Sequence, residues 1–367
     1  MNPKACLEHL PEPAKRNVLM WCPYSSVIAL GKTCTTWREF IHVPNQNLLI
    51  KRIMVKFGDN SFRLQVGSSH TSGKLQNSDL LSVQYQQLAR DCGVTYENFS
   101  YRRQKKTWIE GGDYQDLFVK DLKILRKLLG NSTLENFEVD CETLQSSTRG
   151  RELKNQFEGF LKTVTDIWGP QGIATKSLRM KFMNEHQAAK ILSHTVPNTL
   201  ERISFLPMDV AGISSGGNRL GLSVLSVLPQ WKNAKFINLT NFLARSTMDP
   251  ILYFESVLVH WLFFEPQHLR IAMEEFVSGR CLTKNFTILC KQIFTSIELN
   301  LSTLGEAVHV GKRYTWYYHT KSPGHVVELT LVESQKISLR MIRGEGIKHG
   351  ANVIHFPFSS PHFFCFR

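Results

Sequence analysis

From residue 111 onward, helix-period and strand-period hydrophobic spacings alternate along the chain. Phe118, Leu122, Leu125 and Leu129 share one face of a helix. Gly130-Asn131 can close that helix in a left-handed cap, and Leu134-x-x-Phe137-x-Val139 then reads as a strand. Ala188, Ile191 and Leu192 mark a second helix, followed by a turn at 195–198 and the strand Leu200-x-x-Ile203-x-Phe205. Residues 220–228 form the helix of a third unit, whose strand is Ala234-x-x-Ile237-x-Leu239. A fourth unit places Phe286, Leu289, Cys290 and Phe294 on a helix and Ile297-x-Leu299-x-Leu301 on a strand. Helices and strands joined by short connections imply a parallel sheet with right-handed crossovers. Residues 314–320, 326–331 and 337–342 are rich in β-branched and aromatic residues, with a Ser322-Pro323-Gly324 turn. They predict an antiparallel meander, against which the aromatic tail that starts at Phe356 packs.

The first 41 residues follow another pattern. Leu10-Pro11 opens a helix bearing Ala14, Val18, Leu19 and Cys22, and Pro23 ends it. Ser25 and Ser26 can cap a second short helix with Val27, Ile28 and Leu30. A third carries Cys34, Trp37, Phe40 and Ile41. Three helices in about 32 residues are too few to bury their own apolar surface, so this block docks on the rest of the chain or on another protein. Residues 46–110 read as a connecting region, with an exposed Gly/Ser-rich loop at 66–74.

The strands of the second half resemble the strand consensus of leucine-rich repeats. Leu134 and Leu200 are 66 residues apart, whereas Leu200 and Ala234 are 34 apart, so the repeat is irregular. The expected fold class is α/β, with a small three-helix N-terminal block, an irregular leucine-rich-repeat-like helix/strand domain and a C-terminal β meander.

Composition narrows the function. The chain has 367 residues and a net charge of +13, which raises nucleic acid as a partner. The surplus is thinly spread, with its densest segment, net +5, at residues 51–110. There Arg102, Arg103, Lys105 and Lys106 precede Trp108, a basic and aromatic stripe that can meet an acidic protein or, alternatively, hold RNA or DNA. Chemistry motifs are broken. Residues 305–312 echo a phosphate loop, but five residues separate the glycines and Arg313 replaces the Ser/Thr. His186 and His194 are eight apart, outside zinc-ligand spacings. No catalytic residue, metal or cofactor is expected. The longest apolar stretch, 251–264, is too short for a membrane span. The start Met-Asn-Pro-Lys has no signal core, and the eight cysteines contain no Cys-x-x-Cys pair. Both point to reduced thiols in a cytoplasmic or nuclear protein.

Leu10-Pro11, Val18-Leu19, Val27-Ile28-x-Leu30 and Cys34-x-x-Trp37-Arg38-x-Phe40-Ile41 together resemble an F-box, without gaps. Pro13, Ala14 and Thr33 depart from its usual pattern. The resemblance implies docking on the Skp-type adaptor of a cullin-RING (SCF) ubiquitin ligase. Leu10, Pro11, Val18, Leu19, Val27, Ile28, Leu30 and Trp37 would contact the adaptor or support that contact. Further on, Leu228-Pro-Gln-Trp-Lys-Asn-Ala-Lys235, the Thr-Leu-Glu strands, Leu178-Arg-Met-Lys-Phe182 and Trp316 resemble the nematode F-box-A family and its FTH domain. This implies a non-enzymatic receptor that presents an unidentified, acidic target protein for ubiquitination and degradation. The expected organisation is an F-box at 1–45, a basic connecting region at 46–110, an FTH, repeat-like capture domain at 111–345 and a packed tail at 346–367. Arg179, Lys232 and Lys235 are the expected target contacts.

Overall fold

The computed structural model describes residues 10–22, 26–27, 30, 35–41, 50–67, 80–98, 103–141, 150–208, 219–220, 222–244, 249–264, 266–279, 282–293, 304–332, 336–348 and 350–356. Ile28, Arg102, the predicted strand at 297–301 and the tail beyond Phe356 lie outside them. The fold is mixed α/β, mostly strand, with eight α-helices among the described residues. The chain divides into two units: 1–181 with 190–200 and 208–211, and 182–189 with 201–207 and 212–367.

In the first unit, β1 (Arg52–Gly58), β2 (Ser61–Gly67), β3 (Leu80–Leu88), β4 (Asp91–Asn98) and β5 (Arg103–Ile109) form an antiparallel meander. β1 also pairs in parallel with β6 (Asn136–Cys141), and β6 with β7 (Ser177–Phe182). The strand order is therefore β5-β4-β3-β2-β1-β6-β7. The described residues of the connecting region expected at 46–110 are mostly sheet. Its signal is the alternation Ile53, Val55, Phe57 and Phe62, Leu64, Val66, all buried, with Arg, Lys and Gln between them. That is period 2, the mark of strands with one covered face. The predicted loop at 66–74 begins inside β2.

Helices α1 (Glu12–Trp21) and α2 (Thr35–Ile41) precede this sheet. Two longer helices, α3 (Tyr114–Leu129) and α4 (Gly150–Trp168), pack on its apolar face. Asp113 caps α3 through its carboxylate, which accepts from the Gln115 and Asp116 amides at 2.6 and 3.1 Å. Gly130 ends α3 at φ +53°, but its ψ of −120° lies outside the left-handed helical basin. Phe57, Phe62, Phe118 and Phe160 form an aromatic cluster with ring centroids 5.0–5.9 Å apart. Edge-to-face and tilted contacts of this kind stabilise beyond the area they bury. Tyr85 Oη donates to Asp121 at 2.5 Å, tying β3 to α3.

In the second unit, β8 (Arg202–Pro207), β10 (Phe236–Ala244), β11 (Ser256–Phe264) and β12 (Asn285–Ile293) are parallel neighbours. Short β9 (Arg219–Leu220) pairs with the end of β10. β12 pairs antiparallel with β16 (Lys336–Arg343), then come β15 (His325–Val332) and β14 (Arg313–His319), as the meander expectation has it. Helices α6 (Ser223–Ser226), α7 (Pro229–Asn233) and α8 (Pro266–Ser278) connect the parallel strands. The division between the units runs through α5 (Glu185–Ser193). Trp231 is fully buried and its indole N–H donates to Pro250 O at 2.7 Å. β13 (Val308–Val310) forms a hairpin with β14, so the predicted phosphate-loop echo is a β turn that opens no helix. β17 (Val353–Ile354) lies along β14, and Phe356 packs edge-on against Tyr318.

Cys290, predicted on a helix, lies in β12. The helix of that unit is α8, upstream, where Leu269, Ala272, Met273 and Phe276 are buried. A short apolar run fits either period, and β12 is flanked closely enough by apolar residues to imitate a helix.

One spacing recurs seven times. Ile50-x-x-Ile53-x-Val55, Leu134-x-x-Phe137-x-Val139, Thr175-x-x-Leu178-x-Met180, Leu200-x-x-Ile203-x-Phe205, Ala234-x-x-Ile237-x-Leu239, Phe254-x-x-Val257-x-Val259 and Thr283-x-x-Phe286-x-Ile288 are buried at every named position. The two threonines satisfy their hydroxyls internally, Thr175 on Ser177 O and Thr283 on Leu252 O. The long gap between Leu134 and Leu200 holds a complete further helix and strand, α4 and β7.

Candidate interaction surfaces

The N-terminal block is built on Trp37. Its ring is 1% exposed, meets Phe40 edge-on at 6.1 Å, and has the Lys15 ammonium 5.9 Å from its centroid. Cys22 is extended, as the residue before Pro23 must be, and its amide closes α1 on Leu19 O and Val18 O. Burial pushes the Cys22 thiol pKa up, so it stays protonated. Leu19, Val27, Phe40 and Ile41 are buried with Trp37. Pro11 is exposed, and Leu10, Val18 and Leu30 are half-buried. Leu19, Val27 and Trp37 thus lie inside the block, while Pro11 is exposed and Leu10, Val18 and Leu30 reach the surface in part.

The first unit presents a second surface. Because α3 and α4 cover one face of its sheet, alternate residues line the other. In register across it lie Gln104, Lys106 and Trp108 of β5, Glu97 and Thr95 of β4, and Ser82, Gln84 and Gln86 of β3. Ser61, Arg63 and Gln65 of β2, Arg52, Met54 and Lys56 of β1, and Glu138 and Asp140 of β6 continue the row. Arg179 and Lys181 of β7 complete it. Neighbours pair across the strands: Gln104 with Glu97 at 3.2 Å, Arg63 with Gln84 at 2.7 Å, Arg52 with Glu138 at 2.8 Å, and Lys181 with Asp140 at 2.8 Å. Basic residues outnumber acidic ones on this face, with Arg52, Lys56, Arg63, Lys106, Arg179 and Lys181 facing Glu97, Glu138 and Asp140. The signal for it is the polar half of the period-2 pattern at 52–98.

The basic stripe is β5 itself. Lys105 and Lys106 are both exposed, but adjacent strand residues point to opposite faces. The predicted residues therefore do not form one patch. Lys106 and Trp108 share the polar face, with the ammonium 4.4 Å from the ring centroid. Lys105 pairs in register with Tyr96 on the helix-covered side. Burial, and after it the Asp121 charge, raises the Tyr96 pKa, so its hydroxyl is neutral. Trp108 is 55% exposed and lies across Gly93, whose missing side chain leaves room for the ring.

The three expected target contacts fall in different units. Arg179 is exposed on the polar face of the first unit, whereas Lys232 lies in the last turn of α7 and Lys235 precedes β10 in the second. Lys235 belongs to a regular series. The residue after the first anchor of each repeat is charged, and its sign alternates along the chain: Lys51, Glu135, Lys176, Glu201, Lys235, Glu255, Lys284. Lys176 meets Glu135 at 3.0 Å and Lys284 meets Glu255 at 3.5 Å. The Lys235 amide donates to Glu201 O at 2.8 Å.

Among the described residues no group of three or more His, Cys, Asp and Glu is arranged to hold a metal, and no helix is long and apolar enough to cross a membrane. Two family models match the chain: that of the F-box domain over residues 7–48 and that of the FTH domain over residues 158–300. No curated protein and no solved structure matches it.

Proposed function

For a chain with the F-box plus FTH architecture of the nematode F-box-A family, we propose the role of substrate-recognition subunit in an SCF-type ubiquitin ligase. An F-box indicates Skp binding, and F-box proteins are typically non-catalytic receptors. The observation that carries the proposal is the F-box itself, folded around a buried Trp37 with Leu10, Pro11, Val18 and Leu30 left at its surface. Those four residues contact the adaptor, while Leu19, Val27 and Trp37 hold the block in shape, with Ile28 beside Val27 in sequence. Through the adaptor the chain joins the cullin and RING subunits. The remaining sheet captures a target protein.

The seven buried Φ-x-x-Φ-x-Φ segments support reading the capture region as an irregular leucine-rich-repeat-like array. Such an array covers one face with helices and offers the other to a partner. The chain itself needs no catalytic group. Holding target lysines beside a ubiquitin-charged enzyme raises their effective concentration, which alone can account for several kcal/mol of barrier.

The experiment is a reconstituted ubiquitination reaction on a protein captured by the full chain. Full length matters, because a fragment starting at 111 lacks β1, the strand that covers one edge of β6. Ubiquitin transfer to the captured protein that stops when Leu10 and Pro11 are both changed to Ala is the expected result. Capture without transfer contradicts the proposal.

A further inference from the structure

We infer that the outer edge of β5 is a strand-addition site for an extended, acidic segment of the captured protein. The inference rests on the reading of this chain as a target-capturing subunit. Among the described residues β5 pairs with β4 alone, and Gln104, Lys105, Lys106, Thr107 and Trp108 are all exposed. A strand exposed on both faces at the end of a seven-strand row offers its free backbone groups to another chain.

The side chains select the occupant. Lys105 points to one face and Lys106 to the other, so an added strand meets a positive charge on each side. Two consecutive acidic residues, which also point to opposite faces, match them. Trp108, two residues beyond Lys106 on the same face, then faces an apolar residue two places along the added strand. Leu88, 37% exposed, touches the same Gly93 position and widens this apolar spot.

A second copy of this chain is a poor occupant, because pairing β5 with itself brings lysines against lysines. A polynucleotide is a poor one too. Its phosphates would neutralise lysines but supply no donor to the strand carbonyls, and it could follow only one of the two faces. The remaining charge of the polar face, Arg179 included, favours the approach of an acidic protein.

The test uses the full chain bound to its adaptor and a labelled eight-residue peptide, rich in Val and Thr, with Glu-Asp at its centre and an apolar residue two places beyond the Asp. Anisotropy reports binding. The expectation is saturable binding that weakens about tenfold when Lys105 and Lys106 are both changed to Glu. Binding should also be lost with peptides N-methylated at alternate amides, in one of the two registers. Trp108→Ala should weaken binding severalfold, and Trp108→Phe should restore most of it. Retention of adaptor by every variant keeps the inference separate from the proposed function, which fails if wild type does not hold the adaptor. The inference is overturned if both N-methylated peptides bind like the parent. It is also overturned if polyuridylate of equal charge binds more tightly, or if the chain itself dimerises through β5.

Discussion

Trp37 and Pro11 lie in the same short block, yet they do different work. Trp37 is 1% exposed, in ring contact with Phe40 and beneath the Lys15 ammonium. Pro11 is exposed, and its carbonyl starts α1 by accepting from Lys15 N at 3.0 Å. Truncating a buried tryptophan costs about 3–5 kcal/mol, more than a block of this size can lose. Trp37→Ala should therefore abolish adaptor binding together with the far-ultraviolet signal of the N-terminal helices. Leu10→Ala with Pro11→Ala should leave that signal intact. Loss of helix signal in the Leu10 and Pro11 variant would move those residues into the core.

Gly172 bends the chain between α4 and β7. It follows the short 3₁₀ turn at 169–171, with φ +71° and ψ −177°, a region open essentially to glycine alone. A Cβ there would stand 2.7 Å from His194 O. Gly172→Ala should cost about 1–3 kcal/mol, read as a lower midpoint of chemical unfolding. An unchanged midpoint would mean the bend relaxes freely. Alternating charges act at the same level. Lys176 and Glu135 are both exposed, so Lys176→Glu should cost under about 1 kcal/mol. Adding Glu135→Lys should restore the midpoint, and no recovery in the double variant would show that the pair contributes nothing.

Much at this scale was legible in the sequence. The strands at Leu134, Leu200 and Ala234 are legible in spacing, because their period differs clearly from that of the helices before them. α4 and β7 are hard to read from spacing because Thr175 stands where an apolar anchor is expected, and only its internal hydrogen bond to Ser177 O shows why it fits. β12 imitated a helix because its apolar residues are dense enough to satisfy both periods. The β1–β5 meander was legible in principle, since its alternation is regular. Its charge drew attention to solvent instead of to strands. The apolar positions of the N-terminal block are legible in spacing, but which of them reach the surface is a matter of burial, and burial is not written in spacing.

For the whole molecule, the net charge of +13 resolves into two different uses. Part of it is paired, in the ladder of Lys and Glu that follows the repeat and in the cross-strand pairs Arg52–Glu138 and Lys181–Asp140. Another part stands exposed on one polar sheet face and its edge strand, at Lys106 and Arg179 among others. An F-box followed by a polar sheet face in the first unit suits the proposed receptor, which must hold two partners at once. Every step of that account depends on the first partner being a Skp-type adaptor. The most direct measurement is therefore titration of a purified Skp-type adaptor into the full chain by calorimetry. The account predicts a one-to-one complex that Leu10→Ala with Pro11→Ala weakens at least tenfold without unfolding the chain. A wild-type chain that takes up no adaptor, or a double variant that binds as tightly as wild type, would contradict it.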